Sequence, residues 1–397
     1  MSGEAPKTNL AESFPTLKDE DWKYTDLSRP IEIGQDWLNA GSLEQAPDAS
    51  QIDEIKASTD AAWIVIANGR LLEDVSTGLA EPGVDVSALG SDAPTIEVPL
   101  ANLNAQLRTD AVRIRITEDR LAERPIGLLI VDRALGSPVM SQARIDIDVD
   151  ERAAARFIEY HASSGDDEHY SNSLIRLTLA DEASVEYLRF QDRALHHSQT
   201  ARLNVHLGRD SRFTHCGIDL GNRLARNDLQ VDIAAPGADA TFNGLYVAGN
   251  GQHVDNHTRV DHRVGPAVSN QEYRGVLAGR CRAVWNGKAI VHIGADGTDA
   301  QQANHNLLLS EHGEIDAKPE LEIYADEVKC AHGTTVGQLD ERALFYLRSR
   351  GLDEARAKRV LTRAFAATVV EHAPIAELHE FIGDRVESRL RELGETS

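Results

Sequence analysis

From about residue 112 to 335 the chain is written in short runs that alternate apolar and polar residues, and the runs recur at near-regular intervals. Val112-Arg113-Ile114-Arg115-Ile116, Arg144-Ile145-Asp146-Ile147-Asp148-Val149, Leu174-Ile175-Arg176-Leu177-Thr178-Leu179, Leu203-Asn204-Val205-His206-Leu207 and Leu229-Gln230-Val231-Asp232-Ile233 share this pattern. A period of two marks a strand with one buried face. Polar connectors follow several of the runs: Leu179 leads through Ala-Asp-Glu-Ala-Ser to Val185, and Leu207 through Gly-Arg-Asp-Ser-Arg to Phe213. Ile233 passes through Ala-Ala-Pro-Gly-Ala-Asp-Ala to Thr241, and Leu309 through Ser-Glu-His-Gly-Glu to Ile315. Leu179, Leu207 and Ile233 are separated by 28 and 26 residues. Stacked rungs that each add strands to one continuous core produce such a near-repeat. A β-solenoid is therefore the first architecture and a β-sandwich the second, because periodicity alone does not choose between them. Apolar residues make up 41% of the chain, enough to fill either core.

The flanks read differently. Residues 1–110 are mixed and partly helical: Leu17–Leu27 forms a short helix or turn on a charged surface with Trp22 and Tyr24 as anchors. Residues 42–58 lean to helix, Ala62–Ala67 is a buried strand, and Pro82-Gly83 and Asp92-Ala93-Pro94 mark loops. The β pattern occupies 111–337, and 338–397 is helical. Asp340 caps a helix through Arg348 that Gly351 stops, and Asp353 starts another running towards His372. Ile375, Leu378, Ile382, Val386 and Leu390 then form one apolar stripe. Such a stripe packs on its own domain or is offered to a partner subunit.

The formal charge of −23 repels phosphate backbones and anionic lipid, which argues against nucleic acid and membrane partners. Three widely spaced cysteines, Cys216, Cys281 and Cys330, form no disulfide framework and suit a reducing interior. The segment Met1–Lys7 has no apolar core of a secretory signal, and the apolar runs fall short of the ~20 residues that span a bilayer, so a soluble cytoplasmic protein is expected. Phosphate-loop, dinucleotide, H-E-x-x-H, C-x-x-C and G-x-S-x-G motifs are all missing. Any nucleotide-derived energy must then come from another chain. His253, His257, His262, His292, His305 and His312 are clustered, but without cysteine or glutamate at ligand spacing they read as solvated or core-satisfied histidines rather than a metal centre.

The segment Lys318–Gly351 carries the chemistry. Pro319 is expected to open a strand in which Leu321, Ile323 and Ala325 alternate with outward polar groups, followed by Cys330-Ala331-His332-Gly333. Residues i and i+2 of an extended chain project to one side, so the Cys330 thiol and His332 imidazole face one surface together. Thiolate and imidazole suit iron, zinc, copper(I) and iron–sulfur clusters, yet two ligands do not close a tetrahedral site. Either the remaining ligands come from a second subunit or an exchangeable group, or Cys330 is an inert buried thiol and His332 a turn residue.

The run Glu322-Ile-Tyr-Ala-Asp-Glu-Val-Lys-Cys-Ala-His-Gly-Thr-Thr-Val-Gly-Gln-Leu-Asp340, with Phe345-Tyr-Leu-Arg-Ser-Arg-Gly351, resembles the most recognisable stretch of the SufB/SufD family of iron–sulfur cluster assembly proteins, on its SufD branch. Asp21-Trp-Lys-Tyr-Thr-Asp-Leu27 and Ser269-Asn-Gln-Glu-Tyr-Arg-Gly275 extend the resemblance over nearly the whole chain, residues 30–110 matching only loosely. The resemblance implies an N-terminal helical region, a right-handed parallel β-helix core and a C-terminal helical domain. It also implies a non-catalytic scaffold subunit that pairs through its core with a SufB-like subunit and docks a SufC-like ATPase on its C-terminal helices, with the stripe from Ile375 to Leu390 as one candidate surface. An iron–sulfur cluster would assemble transiently at the shared interface, with His332 as ligand or essential residue and Cys330 beside it. A flavin in the assembled complex and a homodimer in isolation belong to the same expectation, although no flavin motif is visible. Cys216 and Cys281 match no family motif and are read as structural. The alternative from the solenoid alone is a carbohydrate-active enzyme on a β-helix; no paired-carboxylate or nucleophile motif supports it.

Overall fold

A computed structural model describes residues 10–42, 45–90, 98–120, 122 and 124–395. The segment Met1–Lys7 and the loop at Asp92–Pro94 lie outside the described residues. Four short strands open the sheets: β1 (Ala62–Ala67), β2 (Arg70–Leu71), β3 (Val84–Ala88) and β4 (Val112–Ile116). Then follow β5 (Ile126–Arg133), β6 (Val139–Val149), β7 (Ala154–Ser164), β8 (His169–Leu179), β9 (Ser184–Asp192), β10 (Ser198–Leu207), β11 (Arg212–Asp219) and β12 (Leu224–Ile233). The series closes with β13 (Asp239–Ala248), β14 (His253–His262), β15 (Val268–Leu277), β16 (Arg282–Val291), β17 (Asp299–Leu308), β18 (Glu314–Ile323) and β19 (Lys329–Gly337).

Successive strands alternate between two sheets. The odd strands from β5 to β19 line up beside β1, the even strands from β4 to β18 form the other sheet, and every pairing among them is parallel. Antiparallel partners, β2 on β1 and β3 on β4, occur at the N-terminal end alone among the described residues. This is a parallel β-solenoid of about seven turns, with β19 opening one more. The sandwich reading fails because sandwich neighbours run antiparallel. The near-repeat has a local cause. In three of the connectors one residue adopts a left-handed backbone, Glu182 (φ 60°), Asp210 (φ 53°) and Gly237 (φ 81°), which turns the chain from one sheet into the other. The polar runs after Leu179, Leu207 and Ile233 are these turns.

In-register stacking converts the alternation into columns. Ile114, Ile147, Leu177, Val205, Val231, Val260, Ala289 and Leu321 lie one above the next along the inside of the even sheet. All but Leu321 are buried. Each large aliphatic contributes roughly 1.5–3 kcal/mol by leaving water. The sheets begin upstream of residue 111, since β1 pairs with β5 over its whole length.

Helices cover the outer faces. α1 (Ser28–Asn39), α2 (Ala49–Ala57) and α3 (Ala101–Leu107) belong to the N-terminal part, with α1 and α3 packed on β6 and β8. α4 (Glu341–Ser349), α5 (Glu354–Glu371) and α6 (His379–Glu395) follow the solenoid. Asp340 accepts a hydrogen bond from Arg342 N, Asp353 from Arg356 N, and Gly351 sits at φ 95°, as expected for these caps and this stop. The stripe behaves in one of its two anticipated ways. Ile375, Leu378, Ile382 and Val386 are buried on the outer face of the odd sheet, among Ile158, Tyr160, Leu188 and Phe190. That sheet face is apolar and has to be covered, so these four members of the stripe are used within the chain, while Leu390 is only partly buried. Pro319 is also corrected: β18 starts at Glu314, which places Pro319 mid-strand, and Ala325 lies past its end.

Candidate site at the open end of the solenoid

Cys330 and His332 are the last members of two interior columns. Cys330 pairs in register with Ala300, which continues through Ser269, Ala240 and Phe213. His332 pairs with Gln302, and beneath it lie Gln271, Phe242, His215 and Tyr187. Ala300 and Gln302 are buried because β19 covers them; among the described residues no further strand covers β19. Positions that are core in every earlier turn therefore meet solvent here. His332 is exposed and Cys330 partly so. The two side chains share one side of an extended strand, as their spacing requires.

Partial burial pushes the Cys330 thiol up, an effect countered by a hydrogen bond with the backbone of Ala300. Burial therefore favours the neutral thiol over the thiolate. No group of three or more His, Cys, Asp or Glu able to hold a metal occurs among the described residues, so Cys330 and His332 do not by themselves make a closed site. The other cysteines differ in kind. Cys216 is wholly buried with its thiol pushed up to about 12, and Cys281 is buried, raised to about 11 and donates to Ala248 O at 3.6 Å.

Five of the clustered histidines lie against polar groups of the chain. His253 lies 3.1 Å from Thr25 Oγ1, His257 3.0 Å from Asp255, His262 2.9 Å from Ser269 and His292 2.9 Å from Asp261. His305 bonds Thr335 at 2.8 Å, and His312 is exposed. The Asp21–Leu27 motif has a physical role that sequence reasoning did not assign. Arg226, almost fully buried, donates to Asp21 O, Asp228 and Asp255 and lies 4.4 Å from the Trp22 ring, while Thr25 donates to Asp255. The motif is a clasp that closes over β12 and β14. Tyr24 under Arg282 and Glu20 against Lys318 carry it on to β16 and β18.

Beside the open end, α4, α5 and α6 frame a groove of ≈ 880 Å³ with Leu309, Leu344, Val360, Leu390, Arg359 and Arg363 in its walls. α4 has no buried residue and exposes Phe345 and Tyr346. Between residues 341 and 363 seven basic residues face three acidic ones, a local excess of positive charge on a chain whose total is −23. No helix among the described residues is long and apolar enough to cross a membrane.

Fold and site together define a parallel β-solenoid protein that carries a thiol and an imidazole side by side on its last strand. The family described as "SUF system FeS cluster assembly, SufBD core domain" matches residues 132–365, from β5 into α5. The iron-sulfur cluster assembly protein SufD of Escherichia coli is 29% identical over 393 residues, covering 96% of this chain and 90% of its own length. An iron-sulfur cluster assembly SufBD family protein of Synechocystis is 29% identical over 92% of this chain and 85% of its own, and the chloroplastic protein ABCI7 of Arabidopsis thaliana 26% over 97% and 84%. The chain belongs to the SufB/SufD family of iron–sulfur cluster assembly proteins, and it is SufD-like within it.

Proposed function

We propose that this protein is a non-catalytic scaffold subunit that pairs through the open end of its solenoid with a SufB-like subunit, and that Cys330 and His332 form this chain's half of a shared site on which an iron–sulfur cluster is built as cargo. The observation that carries the reading is the placement of a thiol and an imidazole side by side on the one turn that the chain leaves uncovered. A second polypeptide docking there supplies both the missing cover and the missing ligands. The groove beside α4 and α5, with its exposed aromatics and positive charge, is the surface for a SufC-like ATPase, whose nucleotide chemistry this chain has no motif to perform.

Co-expression with SufB-like and SufC-like chains tests the reading. The complex should carry an iron–sulfur chromophore, and His332→Ala should leave complex formation unchanged while lowering cluster yield at least about tenfold, as loss of metal-site residues does. Unchanged yield would remove His332 from the site. A cluster-free homodimer as the sole product, with no affinity for either partner, would overturn the scaffold role.

A further inference from the structure

The interior of the solenoid is divided lengthwise. One half is mainly aliphatic and aromatic, whereas the other is lined by polar groups that sequence patterning gives no reason to place in a core. Glu159, His161, Arg189, Gln191, His215 and Asp219 occupy inward positions of β7, β9 and β11. Arg189 Nη2 is 2.9 Å from both oxygens of Asp219, Tyr187 donates to Glu159 at 2.7 Å, and His161 lies 2.5 Å from Glu159. Asn227 donates from Nδ2 to Asp219 (3.1 Å) and to Asn256 Oδ1 (3.0 Å).

A cavity of ≈ 20 Å³ lies within this half, with Glu159, Arg189, His215, Asn227, Asn256 and Tyr273 in its wall. Four of those side chains, each more than nine-tenths buried, keep a polar atom for which the described residues provide no partner: Arg189 Nη1, His215 Nδ1, Asn227 Oδ1 and Asn256 Nδ2. Buried polar atoms in native proteins are almost always hydrogen-bonded, to protein or to ordered water. A space of about 10–15 Å³ accommodates one water molecule, which needs two to four polar partners.

We propose that this cavity is a built water site, in which one or two water molecules bridge Arg189, His215, Asn227 and Asn256. The mixture of donors and acceptors decides the ligand. A small anion would need donors alone and would sit beside Glu159, with Asp219 close behind. A cation would meet the guanidinium of Arg189 and the amide nitrogen of Asn256. A molecule that both donates and accepts fits all four atoms. The site leaves the odd and even sheets cross-linked through solvent at the middle turns, well inside the open end and independent of its metal donors.

A high-resolution crystal structure of the full chain, from crystals soaked separately in bromide and in rubidium, tests this directly. Density should appear at hydrogen-bonding distance, about 2.7–3.2 Å, from Arg189 Nη1 and Asn256 Nδ2, with no anomalous signal from either ion. Featureless density in the cavity, or a bromide or rubidium peak there, overturns the proposal. In solution, oxygen-17 relaxation dispersion should count at least one fewer long-lived internal water in Asn256→Leu than in the parent protein. An equal count in a folded Asn256→Leu variant also overturns it, and the crystallographic test on the parent protein stands if the variant does not fold.

Discussion

β18 and β19 are free edges at the same end of one solenoid, and they meet solvent in different ways. In β18, Glu314 N–H donates to Cys281 O, and Tyr324 N–H just beyond the strand donates to Val291 O, so its even-numbered residues bond inward to β16. The odd-numbered residues face the free edge, and among them is Pro319, which has no donor to present. Its outward row is charged and ion-paired, with Arg282 on Asp316, Lys288 on Glu322 and Lys318 on Glu320. Proline and charge are the ordinary means of closing a sheet edge to other strands. In β19, Lys329 N–H donates to Thr298 O, which leaves the backbone of Cys330, His332, Thr334 and Val336 on the free side. From Cys330 to Gly337 the strand has no proline and no Asp, Glu, Lys or Arg. One edge is blocked and its neighbour is open, and the open one bears Cys330 and His332. The difference teaches that the end of this solenoid is asymmetric by sequence, with β19 the edge that keeps its backbone free for a further strand.

The largest expected effect contrasts covered and uncovered turns. Leu177→Ala, in a closed column, should cost about 2–5 kcal/mol in urea unfolding of the isolated chain. Val336→Ala, half exposed on β19, should change stability by less than about 0.5 kcal/mol. Comparable losses at the two positions would mean that the last turn is already covered in the isolated protein, for instance by a second copy.

Thr334→Pro probes the open edge itself. The lost N–H points away from β17, so the ladder inside the chain survives and thermal unfolding should shift little. A partner strand added at β19 would lose a hydrogen bond and strand an acceptor, together about 2–4 kcal/mol or roughly 30- to 1,000-fold in affinity. Titration against the SufB-like subunit reads this out, and unaltered affinity would show that pairing does not use this edge.

How much of this was legible in the sequence depended on whether a pattern was local. The strands, the caps at Asp340 and Asp353 and the stop at Gly351 follow from two- and four-residue relationships that the chain obeys without outside help. The stripe from Ile375 to Leu390 announced an apolar face but not its occupant, because the face it covers is assembled from strands up to about 240 residues upstream. Cys330 and His332 were readable as neighbours, whereas their standing at the end of two core columns depends on where the solenoid stops. The clasp of Asp21–Leu27 was visible as a motif and silent as a contact, since Arg226 and Asp255 lie more than 200 residues away. The polar half of the interior was missed because Glu159, Arg189 and Asp219 alternate with apolar outward residues, reversing the usual sense of the pattern. Polar residues recurring at one phase of successive rungs would have been the signal.

That interior sets the pH response, which is intermediate in size. Burial drives His215 down to about 3, and His169 and His197 fall to about 4 and about 3 for the same reason. Below the ordinary value of 6.5 the unfolded chain binds protons that the native state refuses, so stability falls as pH falls from 6.5 towards 3. Each such histidine contributes a slope approaching about 1.4 kcal/mol per pH step, the free energy of a tenfold change in proton activity. His215→Phe, between the rings of Tyr187 and Phe213, should flatten the profile by about that slope while leaving β19 and its pairing unaltered. An unchanged profile would mean that His215 is protonated in the native protein.

The smallest expected effect restores a donor to the blocked edge. Pro319→Thr gives β18 an N–H on its free side without touching the bonds to β16, so stability should move by no more than about 0.5 kcal/mol. If proline alone guards this edge, the variant gains a second pairing surface and sedimentation shows a concentration-dependent assembly that the parent protein lacks. If the charged row shares the work, the variant sediments as the parent does, because an incoming strand would still have to displace the ion pairs of Asp316, Glu320 and Glu322. The second result is expected. The outward row is continuous along β18, whereas the proline blocks a single position, at about 2–4 kcal/mol to an added strand, and the ion pairs on either side of it remain in the variant. Self-association of Pro319→Thr at concentrations where the parent is unassociated would reverse that ranking and reduce the asymmetry of the two edges to one residue.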